Sequence, residues 1–145
     1  MTGVAMTPDE TLHDVFDAVL RNDLSSFIQK SFEAVDPGST YLHNWHIDAL
    51  AHHLAQVERG EITRLVITMP PRCLKSISAS VAFPAWLLGR NPKKRVLAVS
   101  YADSLAEKFA LDSQKIMQSG WYRSCFRGTR IAKGRSARSD FETTL

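Results

Sequence analysis

The chain has 145 residues, 44% of them hydrophobic, 23% charged and 9% aromatic, a balance that permits a real core and excludes a disordered tail or a collagen-like fibre. No apolar run approaches the roughly 20 residues of a membrane span, so no membrane is expected as a partner, and the acidic N-terminus is not a signal peptide. The net charge of +3 hides an asymmetry: residues 1–59 hold three Lys/Arg against nine Asp/Glu, net −6, and residues 60–145 hold fifteen against six, net +9.

A basic block of that size either meets an anionic partner (nucleotide, nucleic acid or membrane surface) or is simply a solvated face. Charge does not choose between them. Two cysteines, Cys73 and Cys125, are too few for a disulfide scaffold and point to a reducing compartment.

In chain order, Thr7-Pro8-Asp9-Glu10 reads as a helix start, with Thr7 capping and Glu10 placed as in a capping box. Leu12, Val15, Phe16 and Val19 follow at helical spacing and predict a helix to about Leu20. A second helix is predicted over Leu24 to Ala34, with Phe27, Ile28 and Phe32 on its apolar face; Met and Phe in these helices are read as core. Asp36-Pro37-Gly38-Ser39 is turn chemistry. Asn44 is placed to cap a third helix with Ile47, Leu50, Leu54 and Val57 in one stripe, closed by Gly60 in a left-handed conformation.

Leu65-Val66-Ile67 predicts a short buried strand, followed by a compact loop with Pro70 and Pro71. From Ser76 a helix resumes, kinked by Pro84. Val96-Leu97-Ala98-Val99 predicts a second continuous apolar strand. A further helix runs from Asp103 or Ser104 to about Ser119, ended by Gly120, and the basic tail from Arg127 to Ser139 reads as a loop before a strand starting at Phe141. Helices followed by strand, helix, strand and helix predict an α/β domain with a parallel sheet. Its boundaries are an N-terminal helical segment over 1–40 and a partial α/β domain over 41–145.

The segment that carries chemistry is Arg64-Leu-Val-Ile-Thr-Met-Pro-Pro-Arg-Cys-Leu-Lys-Ser76. A strand entering a tight loop that ends in Lys-Ser at a helix start is the context of a phosphate-binding loop, where backbone N–H groups and a helix N-terminus face an anion. In that role Lys75 reaches the terminal phosphates, the Ser76 hydroxyl ligates Mg²⁺, and Arg72 holds phosphate in a bidentate way. The two glycine positions of the G-x-x-x-x-G-K-[ST] pattern hold Met69 and Leu74. A left-handed Leu74 costs about 1–2 kcal/mol. A plain strand-to-helix connection is the alternative.

Thr68-Met-Pro-Pro-Arg-Cys-Leu-Lys-Ser76, preceded by Gly60-Glu-Ile-Thr-Arg-Leu65, resembles the ATPase motor of tailed-phage terminase large subunits, which carry a Pro-Pro-Arg-x-x-Lys-Ser loop after a strand. The resemblance continues through Phe83-Pro84-Ala85, Leu88-Gly89-Arg90-Asn91-Pro92, Val99-Ser100-Tyr101 and Ser104-Leu105-Ala106. It takes in Trp45-His46 upstream and Trp121-Tyr122 to Phe141-Glu142-Thr143 downstream, covering about residues 41–145. Cys73-Leu74 stands where the family often has His-Gly.

The resemblance implies a P-loop NTPase of RecA-like parallel fold that binds ATP and Mg²⁺ to drive double-stranded DNA into a procapsid. It gives Lys75 and Ser76 the phosphate and metal roles, Arg72 a phosphate-contacting or sensing role, and Pro71, Cys73 and Leu74 places in the nucleotide loop. It further implies a terminase small subunit and a portal protein as partners, a homo-oligomeric full-length motor, and a place in the host bacterial cytoplasm, transiently at the procapsid portal.

Several residues stay open between two readings. Trp45 and His46 either stack on an adenine base or cover the core. Ser100-Tyr101 is a ligand-side strand end or an ordinary turn. Arg123, Arg127, Arg130, Lys133, Arg135 and Arg138 form a salt-sensitive DNA-backbone contact or a solvated loop. His52-His53, with His43 and His46, lacks a metal pattern, and Cys73 lacks partners for nucleophilic catalysis.

The second signature of such an ATPase, an apolar strand ending in paired acids, does not occur in the sequence, nor does a nuclease domain. The expectation is therefore an N-terminal piece of a motor that alone hydrolyses ATP poorly. The alternatives are a fragment of another phosphate-loop ATPase such as a helicase, or a non-catalytic remnant that binds DNA or a subunit.

Overall fold

The computed structural model describes residues 8–136 and 141–143, which form α1 (Pro8–Asn22), α2 (Leu24–Val35), α3 (Trp45–Arg59), a π-helical turn (Ile77–Ala82) running into α4 (Phe83–Arg90), α5 (Asp103–Gln118), α6 (Gly120–Cys125), β1 (Ile131–Ser136) and β2 (Phe141–Thr143). Helix on helix is the architecture. β1 and β2 pair antiparallel, with Ile131 opposite Thr143, Ser136 opposite Phe141, and a register irregularity between.

The expected parallel sheet of RecA-like type is not formed. Leu65–Ile67 and Val96–Val99 do run without helical structure, as their β-branched composition predicts, but neither pairs with another segment among the described residues. A strand exists only through a neighbour about 4.8 Å away, and here no neighbour is supplied. Val66, Leu97 and Val99 are 86%, 89% and 83% exposed, so the core is built by helices instead. The tail also departs from expectation, since Ile131–Ser136 is a strand rather than a loop.

α2 is the centre of the packing. The Asp23 carboxylate accepts from the Ser26 amide at 2.8 Å and caps its start. Leu24, Phe27, Ile28, Ser31 and Phe32 then fall on one face at helical spacing and are buried. Phe27 meets Trp121, Tyr122 and Phe126 edge-on, with ring centroids 5.4, 6.2 and 6.1 Å away. α3 follows its predicted stripe through Ile47, Leu50 and Leu54. It ends as read from sequence: Gly60 sits at φ 78°, its amide donating to Val57 O at 3.0 Å while the Glu61 amide donates to Gln56 O at 2.9 Å.

The expected kink at Pro84 takes a specific form. Proline has no N–H and its ring collides with the carbonyl four residues back. The chain widens into the π turn ahead of it, and the Phe83 amide donates to Ser78 O, five residues back. α4 is then pinned by its buried groups: Trp86 Nε1 donates to Leu20 O at 3.2 Å, and Tyr122 Oη donates to Ala85 O at 2.8 Å. Gly120 opens α6 rather than ending α5; the break is at Ser119, whose extended backbone and side-chain acceptance from the Tyr122 amide start the new helix.

α1 is a helix as expected, but it is turned. Leu12, Val15, Phe16 and Val19 are exposed (67%, 56%, 46% and 43%), so Phe16 is not core. The inward face is held by Leu20 and by the buried carboxylate of Asp17, which accepts from Ser124 Oγ and, at 3.3 Å, from Cys125 Sγ. Burial and the adjacent Asp17 push the Cys125 thiol up to about 12, which makes it inert. The Thr7 cap lies outside the described residues. No described helix is long and apolar enough to cross a membrane.

Candidate functional site

The loop at Pro70–Ser76 is positioned from both ends. On its entry side the chain alternates: Leu65, Ile67 and Met69 pack against the core, while Val66 and Thr68 face solvent. On its exit side a helical run begins at Lys75 and continues through the π turn and α4 to Arg90. The Ser78 amide donates to Leu74 O at 2.9 Å, the first bond of that run.

Between these ends the backbone is strained. Arg72 lies at φ 65° and Leu74 at φ 58°, the only non-glycine residues with positive φ among those described. Each conformation costs an L-residue about 1–2 kcal/mol. Leu74 occupies the position where the phosphate-loop pattern places its second glycine, and it adopts the left-handed backbone that glycine would supply. Its side chain packs against the core, which holds the residue there.

The result is a run of free donors. The amides of Leu74, Lys75, Ser76 and Ile77 have no backbone acceptor among the described residues, while the Cys73 amide closes the turn at Pro71-Arg72. Left-handed residues flank Cys73, a backbone pattern from which anion-holding concavities of successive N–H groups are built, and the loop leads into a helix start that carries partial positive charge. The side chains of Arg72, Lys75 and Ser76 are exposed and make no hydrogen bond or ion pair with described residues. Pro71 is exposed at the loop's tip, and Cys73 Sγ makes only a long contact, 3.8 Å, to Pro71 O.

The other sequence-derived candidates are not gathered here. Trp45, 76% exposed, starts α3 and touches the His46 ring edge-on at 6.3 Å; no hydrogen bond or ring contact joins either residue to the loop. Within the basic series, Arg123 is exposed. Arg127 pairs with Asp14 at 3.3 Å. Arg130 folds back on its own turn, donating to Phe126 O at 3.0 Å and Thr129 O at 2.7 Å. Lys133 and Arg135 fall on β1, and Arg138 lies outside the described residues. Tyr101 is 96% exposed.

Two arrangements escaped the sequence. One is a chain from Ser25 Oγ to Asp48 Oδ1 (2.6 Å), from Asp48 Oδ2 to His43 Nε2 (2.9 Å) and on to Tyr41 Oη (3.4 Å). The Ser25 hydroxyl, then His43, hold the Asp48 carboxyl below its ordinary range. The hydroxyl faces the carboxylate, a weak base held ionised, and not the imidazole, so the set lacks the serine–histidine contact of an activated nucleophile and instead joins α2 to α3.

The other is a cavity of about 1100 Å³ between α4, α5, β2 and residues 92–98, to which no residue of the Pro70–Ser76 loop contributes. Neither has a local sequence signal, because each unites residues far apart in the chain. No three His, Cys, Asp or Glu among the described residues converge as metal ligands. No family model matches this chain, and no curated protein or solved structure shows significant similarity to it.

Proposed function

We propose that this chain is the nucleotide-binding part of a DNA-packaging motor of the terminase large-subunit type, and that Pro70–Ser76 holds the phosphates of ATP. The observation that carries the reading is the left-handed Leu74 directly before Lys75-Ser76, with four unpaired amides from Leu74 to Ile77. A strained backbone that leaves donors unpaired has no stabilising role of its own and is the usual mark of a binding site. The proposal rests on this loop, not on a sheet behind it.

In this reading the amides cradle phosphate oxygens, Lys75 neutralises the terminal phosphates, and Arg72 adds a second cation. The Ser76 hydroxyl is the group on this chain that would hold Mg²⁺, and the ion would supply positive charge against the phosphates. The motor assignment, with double-stranded DNA, a small subunit, a portal protein and further copies as partners in a bacterial cytoplasm, draws its support from the sequence resemblance.

Titration calorimetry of the chain with Mg-ATP tests it. Saturable binding is expected, weakened about tenfold or more by Lys75→Ala with an unchanged circular dichroism spectrum, and without appreciable turnover. Absence of binding, or binding indifferent to Lys75→Ala, overturns the proposal. The exposed Leu12–Val19 stripe on the acidic head favours one second reading, a subunit-binding module without catalysis. That reading gains if Mg-ATP fails to bind.

A further inference from the structure

Residues 95–101, Arg-Val-Leu-Ala-Val-Ser-Tyr, form a wall of bare backbone. None of their amide or carbonyl groups finds a hydrogen-bond partner among the described residues. Valine, leucine and tyrosine are strand formers, and an unpaired edge of such residues is a template for another strand.

The wall stands beside a gap. The cavity of about 1100 Å³ is lined by Val96–Ala98, by Phe141–Thr143 and by an apolar floor of Pro84, Leu88, Phe109 and Ala110. A smaller space of about 280 Å³, bordered by Val96–Ser100 and by Ala79 and Phe83, shares part of that lining.

The chemistry of the occupant follows from the walls. A helix satisfies its own backbone and offers nothing to seven unpaired peptide groups; only an extended polypeptide presents N–H and C=O groups at the matching repeat. Its inward side chains must be apolar to meet the floor. At the head of the wall, Lys93, Lys94 and Arg95 are consecutive and exposed. Lys94 Nζ donates to Glu58 O at 3.2 Å, while the side chains of Lys93 and Arg95 make no ion pair with described residues. An acidic residue at that end of the incoming strand complements them.

The geometry points to a strand-docking groove: Val96–Val99 pairs with a short, extended, apolar polypeptide segment of a partner protein, carrying an acidic end that meets Lys93, Lys94 and Arg95. This site is separate from the Pro70–Ser76 loop and does not depend on what that loop binds.

The probe is a fluorescent peptide of alternating valine and threonine with paired aspartates at both ends, so that either strand direction presents an acid to the cations. Anisotropy with the full chain is expected to show saturable binding. Amide hydrogen exchange over residues 95–101, fast in the free protein, is expected to slow about tenfold or more on binding. The same peptide N-methylated at alternate residues, which cannot complete a ladder, should not bind. A version ending in lysines should bind about tenfold more weakly.

Ala110→Trp fills the floor and should abolish binding at an unchanged melting temperature; if that variant does not fold, the N-methylated peptide decides on the unaltered chain. Three results overturn the proposal. One is no saturable binding; another is equal binding of the N-methylated peptide, which makes the groove a pocket for small apolar ligands. The third is protection of residues 95–101 that rises with protein concentration alone, which makes a second copy the occupant.

Discussion

The helical half and the extended half of this chain are made of similar residues and end in opposite states. Phe27, Ile28, Ile47, Val81 and Ile116 are wholly buried, whereas Val66, Leu97 and Val99 are at least 83% exposed. Hydrophobicity does not explain the difference. A helix satisfies its backbone internally and needs only a surface for one stripe, which neighbouring helices provide. An extended segment brings its unpaired backbone with it and cannot be buried until another strand accepts those bonds. Apolar composition thus creates a core where the backbone is self-sufficient and an open edge where it is not.

That comparison breaks first at Phe27. Its ring meets three other aromatic rings at full burial, and Phe27→Ala should cost about 3–5 kcal/mol of stability, read from denaturant unfolding followed by circular dichroism. A loss below about 1 kcal/mol would show that the aromatic cluster is loosely packed and that the helical half is no firmer than the rest. Next comes Gly89→Ala. A Cβ at this position would stand 2.6 Å from the buried Phe126 ring, and overpacking of this kind costs about 1–3 kcal/mol. Gly38→Ala, with nothing near its Cβ, is the control.

How much of this was legible in the sequence depended on whether a signal was local. The stripe Ile47, Leu50, Leu54 and the glycine at 60 fixed α3 and its end because period and cap are written within one turn of each other. The left-handed backbone at Leu74 was foreseeable as the conformation the loop pattern asks for. The strands were half legible. The apolar runs at Leu65–Ile67 and Val96–Val99 announced extended chain, but pairing is a property of two segments and neither names its partner.

The orientation of α1 misled for a related reason. Its stripe of Leu12, Val15, Phe16 and Val19 is the stronger apolar signal, yet the inward face is fixed by Asp17, whose partners Ser124 and Cys125 lie over 100 residues away. No spacing rule announces such a contact. The cavity beside residues 92–98 is invisible from sequence for the same reason.

Arg72 sharpens the comparison at the boundary of the two halves. It is exposed, so Arg72→Gly loses no buried side chain, and the φ of 65° becomes free of strain. Relief of about 1–2 kcal/mol, less about 0.5–1 kcal/mol for the added freedom of an unfolded glycine, leaves a net gain between about 0 and 1.5 kcal/mol. The same change removes a cation from the loop, so Mg-ATP binding should weaken while the melting temperature rises. Opposite signs in the two measurements mark strain kept for binding. A lower melting temperature would mean that Arg72 serves the fold.

The smallest expected effect lies in the extended half itself. Leu97→Thr keeps a strand-favouring residue and removes apolar surface that is already 89% exposed. A side chain left in water on folding contributes almost nothing to the difference between folded and unfolded states, so stability should change by less than about 0.5 kcal/mol. At the same contrast in residue type, Ile28→Thr in α2 takes a fully buried group and should cost several times more. Solubility, by contrast, should rise for Leu97→Thr, because an apolar unpaired edge is what self-association uses. If Leu97→Thr instead destabilises the chain as Ile28→Thr does, segment 95–101 is buried in solution by something that pairs with it, and the division between a finished helical core and an open extended edge does not hold.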